Sequence, residues 1–156
     1  MPAAARPRVA LPDDVPGLAA LELRCFAGDR LSARQYRHHV RSPSAAVLLV
    51  PGGRGPLGCA VLFFRRGTAV ARLYSIAVDP EARGRGIGAT LLRAAEAAAR
   101  ARGASVLRLE VRKDNAVALR LYGGSGYQRI GERAGYYEDG ADAWRYERAL
   151  GAVVPG

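Results

Sequence analysis

The sequence predicts an α/β domain: a mixed sheet with helices on both faces. Three observations carry that expectation. Strand-like and helix-like periods follow in the order βαα, three strands, then αβαββ, which is neither an all-antiparallel meander nor a run of alternating βα units. The three middle strands are joined by turn-rich links and so run antiparallel. The helical stretch from Ile87 to Arg102 is long enough to cross over and lay Ser105 to Val111 parallel to Ala69 to Val78. At 156 residues the chain reads as one domain over 1–156, large enough to bury a core without disulfide or metal staples.

Each element has its own signal. Arg6 to Leu11 reads as a short strand, and PDDVPGLAALELRCF opens with acids and then places Leu18, Leu21 and Leu23 as an amphipathic helix would. Ser32 is an N-cap for a second helix, with Gln35 completing a capping box. AAVLLV and GCAVLFFRR, parted by PGGRGP, form a hairpin. AVARLYSIAV is the third meander strand, alternating Val70, Arg72, Tyr74, Ile76 and Val78 against smaller residues, and Asp79 and Pro80 end it. Ile87, Leu91, Leu92, Ala95, Ala98 and Ala99 follow helical spacing, with Gly103 where a C-cap glycine belongs. SVLRLEV is a strand, NAVALRLYGGSG a short helix opened by Asp114 or Asn115, and YQRIGERAGYY and DAWRYERAL a final pair of strands. The tail, GAVVPG at 151–156, reads as frayed.

Composition narrows the partners. The net charge is +10, from 24 basic residues of which all but Lys113 are arginine, and such a surface favours anions. The arginines are scattered among alanines and aromatics make up only 7%, so a stacking platform for nucleic acid lacks its parts and a nucleic-acid partner is not expected. The longest apolar runs are too short to cross a bilayer, and Pro2, Pro7 and Pro12 interrupt the N-terminus where a signal peptide needs an apolar stretch, so a cytoplasmic chain without membrane contact is expected. Cys25 and Cys59 stand apart with no CxxC or Cys/His spacing and read as buried small hydrophobes. His38 and His39 are adjacent, not four apart, and read as a solvated helix face, so no metal site is expected. The oligomeric state, monomer or homodimer, stays open.

The stretch ARGRGIGATLL sets three glycines at every second position ahead of a helix. A P-loop needs Lys after its last glycine, and Ala89 follows Gly88. Gly84, Gly86 and Ala89 do fit the dinucleotide fingerprint, with Glu110 at the expected distance on a strand, but Asp79 to Arg83 intervene between the strand and the first glycine. Physically the loop is an anion cradle: amides of a helix's first turn lack partners, the macrodipole is positive there, glycines admit close approach, and Arg83 and Arg85 add charge. A plain strand-to-helix turn is the competing reading.

IAVDPEARGRGIGATLL joined to LRLEVRKDNAVALRLYGGSGYQRIGERAGYY resembles the Gcn5-related N-acetyltransferase (GNAT) family, whose acetyl-CoA loop is R/Q-x-x-G-x-G/A, here Arg83, Gly86 and Gly88. The second stretch is similar to the ribosomal-protein alanine N-acetyltransferases within it. The resemblance is dense over Leu73 to Tyr137. It implies that backbone around Ile76, Ala77 and Val78 holds the pantetheine arm, that amides from Gly84 through Arg85, Gly86, Ile87 and Gly88 to Ala89 bind the pyrophosphate, and that Asn115 contacts acetyl-CoA. An N–H near Val78 would then stabilise the oxyanion. Glu110 resembles the family's general base and Tyr122 its general acid. Read without the family pattern, Glu110 fits better as a surface strand carboxylate paired with Arg108 or Arg112, and Tyr122 can be a core ring with its hydroxyl at the rim. Tyr136 and Tyr137 resemble a substrate-lining segment, with sheet packing the alternative. Glu22 and Asp29 fall where the family places its acceptor loop, a solvated helix face being the default for each. The implied activity is direct acetyl transfer to a primary amine, first a protein or peptide N-terminal α-amine and second a lysine or small-molecule amine; outside that class stands a non-catalytic acetyl-CoA-binding sensor. Gly123 and Gly124 occupy positions where relatives carry helix formers, which loosens the helix bearing Tyr122.

Overall fold

A computed structural model describes residues 6–151, so most of the tail expected to fray lies outside the described residues. The elements are β1 (Arg8–Val9), α1 (Val15–Cys25), α2 (Ala33–Arg41), β2 (Ala45–Val50), β3 (Gly58–Phe64), β4 (Val70–Val78), α3 (Ile87–Ala101), β5 (Val106–Arg112), α4 (Ala116–Gly124), β6 (Gln128–Arg133) and β7 (Ala143–Ala149), with one-turn 3-10 helices at Pro12–Asp14 and Pro80–Ala82. They form a seven-stranded sheet in the order β1-β2-β3-β4-β5-β7-β6. Every neighbouring pair is antiparallel except β4 and β5, which α3 connects in parallel.

Local chemistry sets the helix ends. Ser32 Oγ accepts from Gln35 N at 3.1 Å while Ser32 N donates to Gln35 Oε1 at 2.8 Å, the reciprocal box that starts α2. Past the end of α3, Gly103 at φ 85° lets Ala104 N turn back to Ala99 O at 3.0 Å. Asn115, rather than Asp114, caps α4, its Oδ1 accepting from Ala118 N at 3.1 Å.

Two cores sandwich the sheet. Leu91, Leu92, Ala95 and Ala99 of α3 pack with Leu48, Leu62, Leu73, Leu107 and Leu109 on one face. Leu18 and Leu21 of α1 and Tyr36 of α2 pack with Val47, Leu49, Cys59 and Val61 on the other. Because β2 and β3 are covered on both sides, they are apolar almost without alternation. The β5–β7 half differs: its second face carries Arg108, Glu110, Arg112, Arg145 and Glu147.

The unbroken alternation expected along β4 is corrected by a β-bulge. Val61 pairs with Ser75 and Leu62 with Leu73, leaving Tyr74 as an extra residue on the β4 side. Before it, Ala71 and Leu73 face the α3 core; after it, Ile76 and Val78 do, and Ala77 enters the α1/α2 core. The bulge bends β4 as it turns it over, and the parallel ladder to β5 stops at once, Leu73 opposite Leu109 being its last rung.

Candidate active site

Beyond that rung β4 continues to Val78 and β5 to Arg112 without pairing, so the strands diverge into a notch. Ser75 to Val78 satisfy one backbone edge on β3 and present the other to the notch, a row of donors and acceptors for an extended ligand. Ile76, Ala77 and Val78 therefore line one wall.

The glycine loop closes the mouth of the notch. Gly84 and Gly86 have φ of 82° and 76°, and a Cβ on either would meet nothing within 4 Å, so the surface before them is open. Thr90 N is the first amide to bond back into the helix, to Gly86 O at 3.0 Å; those of Ile87, Gly88 and Ala89 have no backbone partner among the described residues. A Cβ on Gly88 would sit 3.5 Å from Leu121 and 3.8 Å from Val78, which sets the start of α3 against both β4 and α4. Arg83 and Arg85 are exposed beside the loop. Open glycines, free amides, flanking guanidiniums and the free β4 edge together fit the pyrophosphate and pantetheine of acetyl-CoA. The exposed cap Asn115 stands at the start of α4, with its Nδ2 donor available.

Glu110 enters from β5. Its side chain is only 7% exposed, and its partners are neither Arg108 nor Arg112: Oε2 accepts from Arg72 Nε at 3.1 Å, while Oε1 lies 3.6 Å from Arg133 Nε and 3.9 Å from Arg145 Nε. Arg72 also donates to the Tyr136 hydroxyl, so one guanidinium ties β4, β5 and the β6–β7 loop together. Arg108 pairs with Glu147 and Arg112 with Asp139 and Asp114 instead.

Tyr122 lies on the opposite side of β5. It is buried in the α3 core, its ring edge-on to Tyr127 at 5.7 Å, and its hydroxyl has no hydrogen-bond partner among the described residues. Burial first, and the neighbouring Tyr137 second, push its phenol well above the ordinary range. Glu110 and Tyr122 thus flank one notch from the two faces of the sheet.

The acceptor candidates divide. Tyr136 and Tyr137 stand edge to face at 4.9 Å, with Arg112 over the Tyr137 ring. Asp29, at φ 51° the one described non-glycine with positive φ, is exposed; its N–H donates to Glu138 Oε1 at 2.7 Å while its carboxylate accepts from Glu138 N at 3.3 Å. That clasp joins the α1–α2 loop to the β6–β7 loop beside Glu110. Glu22 requires a correction: it is 2% exposed, not part of a solvated face and not available to a substrate. Its Oε1 accepts from Tyr36 Oη at 2.5 Å and its Oε2 from Leu31 N at 3.1 Å, so it pins the α1–α2 loop from within.

His39 is likewise half-buried rather than solvated, stacking on Phe63 at 4.8 Å, and Cys25 is half-buried with Sγ donating to Val78 O at 3.3 Å. Cys59 is fully buried, which pushes its thiol up to about 12. Among the described residues no three His, Cys, Asp or Glu side chains gather as a metal site requires, and no helix is long and apolar enough to cross a membrane. Sequence reasoning missed Arg72, Arg145 and Glu138, whose roles rest on strand register and loop contact.

The model of the Acetyltransferase (GNAT) family matches residues 15–127. The chain is 38% identical over 148 residues to the N-alpha-acetyltransferase RimI of Mycobacterium tuberculosis, covering 88% of each protein. It is 40% identical over 67 residues to the ribosomal protein bS18 alanine N-acetyltransferase of Escherichia coli, covering 43% of this chain and 45% of that protein. The fold superposes on the crystal structure of the ribosomal-protein-S18-alanine N-acetyltransferase from Escherichia coli with a TM-score of 0.82 at 25% identity, covering 96% of both chains. Ard1 from Thermoplasma volcanium gives the same TM-score and identity, covering 94% of this chain and 98% of that one. A splayed parallel pair, a glycine cradle at the following helix and the match of more than two thirds of the chain lead to one statement: the protein belongs to the GNAT family and is an acetyl-CoA-dependent N-acetyltransferase.

Proposed function

We propose that the acceptor is a protein or peptide N-terminal α-amine, and that Glu110 and Tyr122 are the general base and general acid of the transfer. The observation that carries this reading is their placement on opposite faces of the sheet at one notch. Acetyl-CoA supplies the thioester carbonyl. The acceptor enters on the Glu110 face, between the Tyr136–Tyr137 segment and Asp29. Glu110, directly or through a water, takes the proton from the amine as the nitrogen–carbon bond forms. A β4 amide near Val78 polarises the carbonyl oxygen, and Tyr122 gives its proton to the departing sulfur as the carbon–sulfur bond breaks. The raised pKa of Tyr122 keeps that proton in place at neutral pH. Asn115 and the amides of Gly84 to Ala89, with Arg83 and Arg85, hold the cofactor. Glu22 serves this site at one remove, by fixing the loop that bears Asp29.

An α-amine is favoured over a lysine or small-molecule amine by the names of the relatives, one of which spans 88% of the chain, and by the clasped loops that wall the Glu110 face. The test is thiol release from acetyl-CoA with peptides of varied N-termini, lysine peptides and polyamines, alongside Glu110→Gln. Turnover on free N-termini that collapses in the variant is the expected result; turnover confined to lysines or polyamines removes the α-amine assignment, and an unaffected variant removes the role of Glu110.

A further inference from the structure

We propose that the outer face of α2, with the corner and turn beside it, docks a nucleic-acid double helix through its phosphates. From Arg30 to Val78 the chain holds eight arginines and two histidines and no carboxylate, although 14 acids occur elsewhere. Within α2, Arg34, Arg37, His38 and Arg41 recur at i, i+3, i+4 and i+7 and are all exposed on one face, while Ala33, Tyr36 and Val40 pack into the core from the other. Those four, with Ser42 and Pro43, line a shallow hollow of about 510 Å³. Among the described residues, Arg34, Arg37 and Arg41 pair with no carboxylate.

The basic face continues past the helix. Phe64 N donates to Ser44 O at 2.8 Å, which sets the exposed Arg65 and Arg66 beside the 42–44 corner. Arg102 reaches the same corner from the end of α3, donating to Pro43 O at 2.8 Å and Ala45 O at 3.2 Å and stacking on Phe64.

The chemistry of the face selects among polyanions. A protein interface needs apolar or aromatic anchors at its centre, and none of the exposed large apolar side chains belongs to α2, the corner or the turn. Single strands favour exposed Phe, Tyr or Trp rings to stack on, and among the described residues none lies on α2, the corner or the turn. A duplex needs neither: its phosphates suit bidentate guanidiniums, and Arg34 to Arg41 span about 10 Å of helix axis, enough to meet several of them. The sequence-based expectation against nucleic acid rested on arginines scattered along the chain and on missing stacking residues; α2 gathers Arg34, Arg37 and Arg41 on one exposed face, and backbone docking does not use stacking rings. The face also adjoins the acceptor side of the sheet, because His39 stacks on Phe63 at 4.8 Å and Phe63 on Tyr74 at 5.0 Å, next to Arg72.

The experiment is fluorescence anisotropy of a labelled RNA duplex with the full chain across a salt series. It compares wild type, the triple variant R34Q/R37Q/R41Q, and a control triple, R6Q/R93Q/R120Q, that removes the same charge elsewhere. The α2 triple is expected to weaken binding at least tenfold at fixed salt and to lower the slope of log K against log salt by about one for each phosphate that the protein no longer neutralises. The control triple is expected to change both far less, and peptide acetylation by the α2 triple to stay at the wild-type rate. Equal losses in both triples reduce the effect to net charge and overturn the proposal, as does an unchanged α2 triple. Tighter binding to poly-glutamate than to the duplex overturns it in favour of an acidic protein partner. None of these outcomes depends on which amine is acetylated.

Discussion

Tyr122 and Glu110 differ in how their surroundings hold them. The phenol sits in an apolar core with no partner for its hydroxyl among the described residues, while the carboxylate is gripped by guanidiniums from three other segments. Replacing Tyr122 with Phe keeps the ring packing against Tyr127 and deletes only the hydroxyl, the proposed proton donor. Turnover is expected to fall by about 100-fold or more while acetyl-CoA affinity stays within about twofold, read from initial rates and calorimetric titration. An equal loss of both reassigns the residue to packing. At this scale spacing is what singles out the proposed residues: Glu110, Asn115 and Tyr122 fall at intervals that resemble the family's along one stretch. Arg145 is invisible that way, because it faces Glu110 through the β5–β7 register. The burial of Glu22 escapes for a simpler reason. The stripe on α1 runs through Leu18, Leu21 and Glu22, whereas Leu23, which the spacing counts with the apolar set, is 63% exposed.

Among the elements, α4 is the weakest by composition, since it ends in Gly123 and Gly124. A Cβ at Gly123 would meet nothing within 4 Å, and its backbone is not in the left-handed region. Gly123→Ala is therefore expected to stabilise the protein by about 0.5–1 kcal/mol, raising Tm by about 1–4 °C in a thermal melt. A lower Tm would mean that the glycine serves the packing of Tyr122. The order of α-helices and strands is legible from period and punctuation, because capping residues, glycines and apolar spacing are local, but two strands are shorter than read: β1 is only Arg8–Val9, and the last-but-one strand ends at Arg133, before the turn that carries Tyr136 and Tyr137. The bulge at Tyr74 is not legible. A strand with one surplus residue has the composition of a strand, and only its partner β3 reveals the slip.

The stability of the whole molecule carries the imprint of Glu22. Burial raises its carboxyl above the ordinary glutamate range, against the smaller opposing effects of the hydrogen bonds from Tyr36 and Leu31. The folded chain then holds that proton more tightly than the unfolded chain does. Its contribution is full below the unfolded pKa and is lost as pH climbs through the raised folded value. Asp14, lowered chiefly by Arg8, Asp79, lowered chiefly by the Glu81 amide, and Asp139, lowered chiefly by Arg112, run the other way: their contributions are present at neutral pH and fade in acid. Glu22→Gln carries no charge; its Oε1 can still accept from Leu31 N, and its Nε2 can donate to the Tyr36 hydroxyl oxygen, whose proton is then free for Cys59 Sγ. Melting curves across pH are expected to show a flatter profile in the Glu22 window and no loss at neutrality; a uniform drop at every pH would show that the carboxylate itself is needed.

The surplus residue in β4 works as a one-letter frameshift written into the fold. Upstream of Tyr74, odd-numbered positions answer to α3; downstream, even-numbered ones do. What opens the notch is thus how many residues the strand has, rather than the side chain at the surplus position, which is 38% exposed and packs on Phe63. Tyr74→Ser is expected to leave acetyl-CoA binding close to wild type, whereas deleting Tyr74 is expected to restore a single frame and abolish binding in a chain that still melts cooperatively. On this reading, drift in the identity of residue 74 is expected to be silent for the proposed cofactor site, and a change of length is not.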